Sequence, residues 1–180
     1  MFDHYIKYGS KEKRITRDTV LLNTSFKNGQ TIVIVSHDTE VGGAQQVVLL
    51  FAKWILSSTP FSVKFIAIGS GNWRYKFEDI ASCLVLSDYQ PIHRQKAIDN
   101  WLDADTSICF INSIASVEIL NYLPCELPKL SFIHEMPKVL ENYTNNVELL
   151  RINNVRILAG SQEVGKSFVC LLYTSDAADE

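Results

Sequence analysis

The stretch 31-TIVIVSHDTEVGGAQQVVLL-50 opens on a β-branched run and closes on an apolar helical one, with Gly42-Gly43 between them. Thr31 to Ser36 reads as a strand, because Val, Ile and Thr suit the pleated, half-buried surface of a sheet. Ala44 to Ser57 reads as a helix. Strand, glycine-bearing loop and helix together make the opening unit of an α/β domain.

Downstream the alternation continues. Ser62 to Ile68 is a strand, Trp73 to Ala81 a helix, Cys83 to Leu86 a short strand and Ile92 to Leu102 a helix. Ser107 to Ile111, Lys129 to Ile133 and Val155 to Ala159 are further strands. Ser116 to Tyr122 is a helix, and a long connection precedes the last strand. Strands apolar throughout, alternating with helices, signal a parallel sheet covered on both faces. The expected fold is α/β: a doubly wound, Rossmann-like parallel sheet. Residues 1–30 are polar, with apolar spots at Tyr5, Ile6, Tyr8 and Val20 to Leu22, and read as a short helical segment and linker.

Composition sets the outer limits. The 180 residues are 47% apolar, enough for the core of one domain. The apolar runs are far shorter than the roughly 20 residues that cross a bilayer. Residues 1–14 lack the apolar centre of a secretory signal. A soluble, cytoplasmic protein is expected. Cys83, Cys109, Cys125 and Cys170 have no close paired spacing, which fits neither a zinc site nor a disulfide framework; buried free thiols are expected. Trp54, Trp73 and Trp101 are expected in core and groove packing.

The last eleven residues, 170-CLLYTSDAADE-180, resemble the one-frame translation of a transposase sequencing adapter. On that expectation the native domain spans 31–169, and the tail is set aside. The tail holds Asp176, Asp179 and Glu180 and no base, so the 20 acids fall to 17 against 17 Lys and Arg. The formal net charge moves from -3 to zero, which leaves no global field to favour nucleic acid or a membrane surface.

Gly42 and Gly43 immediately precede the first helix. In doubly wound sheets ligands bind beyond the carboxyl ends of the strands, and the first strand-to-helix turn is a common contact. A glycine there can take positive φ or let a ligand approach the backbone, and the first-turn N–H groups favour an anion such as phosphate. The plain alternative is a tight turn without a ligand. A nicotinamide enzyme is disfavoured, because G-x-G-x-x-G is lacking after the first strand and Ile68-Gly69-Ser70-Gly71 ends the second without an acid. Gly165-Lys166-Ser167 reads as only the end of the phosphate-loop pattern, and it stands late in the chain.

The run 36-SHDTEVGGAQ-45, followed in order by 111-INSIAS-116, 132-FIHEMP-137 and 157-ILAGSQEV-164, resembles the N-terminal domain of GT-B glycosyltransferases, in particular the retaining nucleotide-sugar enzymes of family four. The stretch 4-HYIKYGSKEKR-14 resembles an element found before glycosyltransferase domains in surface-polysaccharide proteins, with Lys13 where Gly is usual. The first resemblance implies an enzyme of two Rossmann-like domains, of which this chain is the acceptor-side one and the C-terminal one is missing. It implies a nucleotide-sugar donor, a glycan or lipid-linked acceptor, no cofactor and no metal. A cytoplasmic place follows, with peripheral contact at the inner membrane face where the acceptor is lipid-linked.

Residue by residue, the resemblance puts Gly42 and Gly43 in the loop that approaches the donor diphosphate and sugar. It makes His134 the catalytic candidate beside the transferred sugar. Glu135 would bond the acceptor or orient His134, while His37, Asp38 and Asn112 are acceptor or supporting residues. Ser161 is expected to cap the helix after the last strand. Acceptor selectivity would lie in Trp73 to Arg94 and Pro137 to Asn153, both read as irregular. The isolated chain is expected to be inactive. The contrasting class is a stand-alone α/β module that binds a phosphate-bearing ligand or a partner protein without catalysis.

Overall fold

The sheet grows in two directions from one central strand. In the computed structural model, which describes residues 29–176, β1 (Thr31–Ser36) is followed by α1 (Gly43–Ser58), β2 (Ser62–Ala67), α2 (Arg74–Glu78), β3 (Cys83–Val85), α3 (Pro91–Trp101) and β4 (Thr106–Asn112). A 3-10 helix (Ile114–Asn121), β5 (Lys129–Ile133), α4 (Pro137–Leu140), α5 (Thr144–Ile152), β6 (Arg156–Ala159) and α6 (Gln162–Asp176) complete the described chain. The strand order is β3-β2-β1-β4-β5-β6 and every pair is parallel. This is the doubly wound, Rossmann-like α/β arrangement. Its order reverses between β1 and β4, the place where doubly wound folds take their ligands, beyond the carboxyl ends of the strands.

Burial explains the strand assignments. Five of the six residues of β1 are buried, as a central parallel strand requires. On one face Ile34, Phe65 and Phe110 pack under Val48, Leu49, Ala52 and Ile55 of α1 and Phe77 of α2. On the other, Val33, Val35, Ile111 and Ile133 pack under Ile98 of α3, Val117, Leu150 of α5 and Phe168 of α6. Each of Val48, Leu49 and Ile55 contributes about 1.5–3 kcal/mol by burial. The buried stripe of α1 begins one turn earlier than its apolar residues do, at Gln45.

Several expectations need correction. The predicted helix over Trp73 to Ala81 is only the five residues of α2, and the predicted α-helix over Ser116 to Tyr122 is a 3-10 helix starting at Ile114. The segments read as irregular contain α2, the start of α3, α4 and α5. Pro91 and Pro137 occupy the first turns of their helices, where a missing N–H costs nothing. Of the cysteines, Cys109 is buried and Cys83 half-buried, and burial pushes both thiols up to about 12. Cys125, in the loop before β5, and Cys170, on α6, are exposed. Trp54 is also exposed, whereas Trp73 and Trp101 are half-buried.

The residues read as a helical segment and linker lie outside the described part up to residue 28, together with the element at 4–14. The proposed boundary at 169–170 falls inside α6, which continues through it without a break. Among the described residues no helix is long and apolar enough to cross a membrane.

Candidate functional site

The loop leaving β1 is held rigidly by the loop leaving β2. Gly69 N–H donates to the His37 carbonyl and Trp73 N–H to the Thr39 carbonyl, both at 2.8 Å. Asp38 Oδ1 accepts from Glu40 N–H at 2.9 Å, and Glu40 Oε2 accepts from Asn72 Nδ2 at 3.1 Å. Gly71 permits this approach, because a β-carbon there would stand 2.4 Å from the Glu40 nitrogen. His37 and Asp38 are therefore fixed at the carboxyl end of the central strand.

Their side chains meet Gln45. Gln45 Nε2 donates to Asp38 Oδ1 at 2.5 Å and lies 3.2 Å from His37 Nε2, which is itself 3.1 Å from Asp38 Oδ2. His37 Nδ1 is enclosed without a hydrogen-bond partner. With the proton on Nδ1, His37 Nε2 would accept from Gln45 Nε2. With the proton on Nε2 that contact is not a hydrogen bond, but the ring donates to an anionic acceptor, the stronger kind of bond, and Nδ1 keeps a lone pair rather than a stranded proton, which favours the second tautomer.

Gly42 and Gly43 differ from expectation. Gly42 is extended, with φ -166 and ψ 167, and Gly43 is the first residue of α1; neither uses positive φ. Among the described glycines only Gly29 does. Gly42 instead leaves room: a β-carbon on it would sit 2.4 Å from Gln45 Oε1. At Gly43 a β-carbon would meet nothing within 4 Å. No side chain caps α1 and its first turn contains no acid, so its leading N–H groups carry their partial positive charge at the start of the helix.

Asn112, at the end of β4, and His134 and Glu135, just beyond β5, stand on the other side of the strand-order reversal. Asn112 is fully buried and its Nδ2 donates to the Ala44 carbonyl at 3.2 Å, which ties the end of β4 to the first turn of α1; its Oδ1 has no partner. The next residue, Ser113, stands at φ 79, unusual for a residue with a β-carbon, and its Oγ accepts from Ala115 N–H. Glu135 accepts from the N–H groups of Ile114 and His134, both at 3.0 Å. Glu135 thus holds the backbone beside His134 and does not bond the imidazole. His134 packs its ring against Phe132 at 5.1 Å, and its Nε2 is buried and unpartnered.

Gly160, beyond β6, backs His134 so closely that an added β-carbon would be 3.0 Å from His134 Cβ. Ser161 accepts from Val164 N–H at 3.2 Å and caps α6 as expected. The phosphate-loop comparison needs correcting. With Gly160, the run 160-GSQEVGKS-167 is the complete G-x-x-x-x-G-K-S pattern. Helix α6 already begins at Gln162, however, and Gly165 N–H bonds the Ser161 carbonyl. The glycine and lysine lie inside a helix, so their N–H groups form no phosphate cradle.

Gln45 was missed as a site residue. Its signal was present, since positions 45, 48, 49, 52 and 55 form one helical stripe and only the first is polar. A surface groove of about 510 Å³ lies between α1 and α2, lined by Leu49, Leu50, Lys53, Tyr75 and Lys76 among others. None of the candidate residues lines it. Among the described residues no cluster of three or more His, Cys, Asp or Glu could hold a metal ion.

No protein-family model matches the chain, and no curated protein matches it. Among solved structures, Phytolacca americana UGT2 complexed with UDP-2fluoro-glucose and pterostilbene is similar at 14% identity and TM-score 0.46, over 70% of this chain and 35% of that one. The apo form of UGT2 gives 14% and 0.43, over 69% and 33%. The FMN-dependent cysteine decarboxylase TvaF from thioviridamide biosynthesis gives 13% and 0.42, over 83% and 99%. The chain spans about a third of the length of the two UGT2 structures. At these scores the similarities assign no activity and no residue.

Proposed function

We propose that this chain is the acceptor-side domain of a retaining, GT-B type glycosyltransferase, which moves a sugar from a nucleotide-sugar donor to a glycan or lipid-linked acceptor in surface-polysaccharide or cell-envelope biosynthesis. One observation carries the proposal. At the point where the strand order reverses, the uncapped start of α1 stands with Asn112 and His134 at the neighbouring strand ends, each holding a buried polar atom without a partner. Buried polar atoms left unpaired cost free energy. A ligand that combines an anionic group with hydroxyls would relieve all three features.

Each residue then has a task. The N–H groups of Gly43 and Ala44 face the donor diphosphate, whose charge grows as the sugar leaves, and fixed dipoles stabilise that charge without reorganising. His134 Nε2 bonds a hydroxyl of the transferred sugar, while Glu135 and Gly160 hold its backbone. His37, held by Asp38, meets the acceptor. The reaction uses the donor as co-substrate and needs no cofactor from this domain. The remaining donor contacts belong to a second Rossmann-like domain, so the 180 residues alone turn nothing over.

The test is to sequence the gene through the codons for Phe168 to Glu180 with long reads. A frame that leaves CLLYTSDAADE and runs into a second α/β domain with a Glu-x7-Glu spacing supports the transferase. A stop codon after Glu180 overturns it in favour of a stand-alone, non-catalytic module that binds a phosphate-bearing ligand or a partner protein, whereas sugar transfer by the 180 residues alone would overturn only the claim that they are inactive.

A further inference from the structure

We infer that Gln45 is the positioning residue of this site: its carboxamide, housed in the space that Gly42 leaves open, fixes Asp38, and Asp38 sets the tautomer and orientation of His37 for a ligand hydroxyl. The hydroxyl rests on the glycosyl-transfer proposal; the positioning rests on geometry alone.

Gln45 is 3% exposed and occupies the leading position of the buried stripe of α1. A carboxamide placed there by helical periodicity must find partners or pay desolvation. It donates to Asp38 Oδ1, and Asp38 presents its other oxygen, Oδ2, to His37 Nε2. Asp38 is thereby held from two directions, by Gln45 and by Glu40 N–H.

Gly42 supplies the second half of the device. Its extended backbone is open to any residue, so conformation does not require glycine there. Space does, because a β-carbon would lie 2.4 Å from Gln45 Oε1. The atom in the way is the far end of a flexible side chain. Alanine at 42 would therefore displace the carboxamide and release Asp38, leaving the backbone of α1 in place.

The test compares Gln45→Ala, Gly42→Ala and the double variant in the full 180-residue chain labelled with 15N, reading the ring nitrogens of His37 in long-range 1H–15N spectra and the Tm of each protein. The parent is expected to hold His37 in the Nε2–H tautomer, with well-separated nitrogen shifts. Both single substitutions move those shifts toward the averaged values of a free imidazole, which a merely structural role would not do. Gly42→Ala lowers Tm in the parent and has no further effect in the Gln45→Ala background. Unchanged His37 signals in Gln45→Ala, or an equal loss of Tm from Gly42→Ala in both backgrounds, would overturn the inference. If Gly42→Ala alone does not fold, the double variant decides: it folds if Gln45 is the obstacle and fails if something else is. These readouts need no ligand, so they can fail while nucleotide-sugar binding succeeds, and the reverse.

Discussion

Glu135 joins the ends of two strands to each other: its Oε1 accepts from Ile114 N–H beyond β4, and its Oε2 accepts from His134 N–H beyond β5, each at 3.0 Å. Glu135→Ala leaves both backbone donors unpaired and is expected to cost about 1–3 kcal/mol in urea unfolding. Glu135→Gln keeps one acceptor oxygen and costs less. A Glu135→Ala protein as stable as its parent would show that this bracket holds nothing.

The glycine that opens α1 and the glycine that follows β6 should respond in opposite ways. Gly160→Ala places a β-carbon 3.0 Å from His134 Cβ and 3.2 Å from its Cα, so the chain must move, and a loss of about 1–3 kcal/mol is expected. Gly43→Ala enters open space in a helical conformation and should stabilise the fold by about 0.4–1 kcal/mol through the unfolded chain. If Gly43 is kept for ligand approach, the same substitution weakens nucleotide-sugar binding. Thermal unfolding and a binding titration on one pair of proteins measure both effects.

Ser113 inverts the usual order of substitutions. It combines a strained φ of 79 with a side-chain bond to Ala115 N–H at 3.2 Å. Alanine loses the bond and keeps the strain, whereas glycine loses the bond and relieves a conformation costing on the order of 1–3 kcal/mol. Ser113→Gly should therefore unfold at a higher denaturant concentration than Ser113→Ala. The opposite order would mean that the strain is not stored at this residue.

The fold was legible where periodicity was strong. Thr31–Ser36 and Lys129–Ile133 are strands to the residue, because β-branched and apolar runs leave little choice. The helices between β5 and β6 were not legible. Thr144, Asn145 and Asn146 are weak helix formers, and burial of Val147 and Leu150 decides the matter. The 3-10 helix looked α-helical because apolar spacing does not separate the two ladders over two turns. The strand ends bearing His37, Asn112 and His134 could be placed from topology alone. The role of Gln45 could not, since it depends on a steric relation to Gly42 that only coordinates reveal.

At the amino edge, Lys64 Nζ lies 2.7 Å from Asp103 Oδ2, and this hydrogen bond, more than the one from Thr106, holds the Asp103 carboxyl below its usual range. A depressed folded pKa contributes stability that is present above the unfolded value near 4 and is lost as pH falls through the folded one. The pair is partly exposed, so the effect should stay within about 1 kcal/mol. Asp103→Asn should lower Tm slightly at pH 7 and match its parent at the acid end of the titration. An equal deficit at every pH would assign the loss to packing instead.

The central claim is that a nucleotide sugar meets this domain at the start of α1. Its most direct measurement is a titration of the 15N-labelled chain with a panel of nucleoside-diphosphate sugars that differ in base and in sugar, followed through backbone amide signals. Saturable shifts at Gly43, Ala44 and His134 with a member of the panel, absent with its free sugar alone and reduced in Gly43→Ala, are the predicted result. Shifts confined to the groove residues Leu50, Lys53 and Lys76, or no shifts with any member at millimolar concentration, would contradict it.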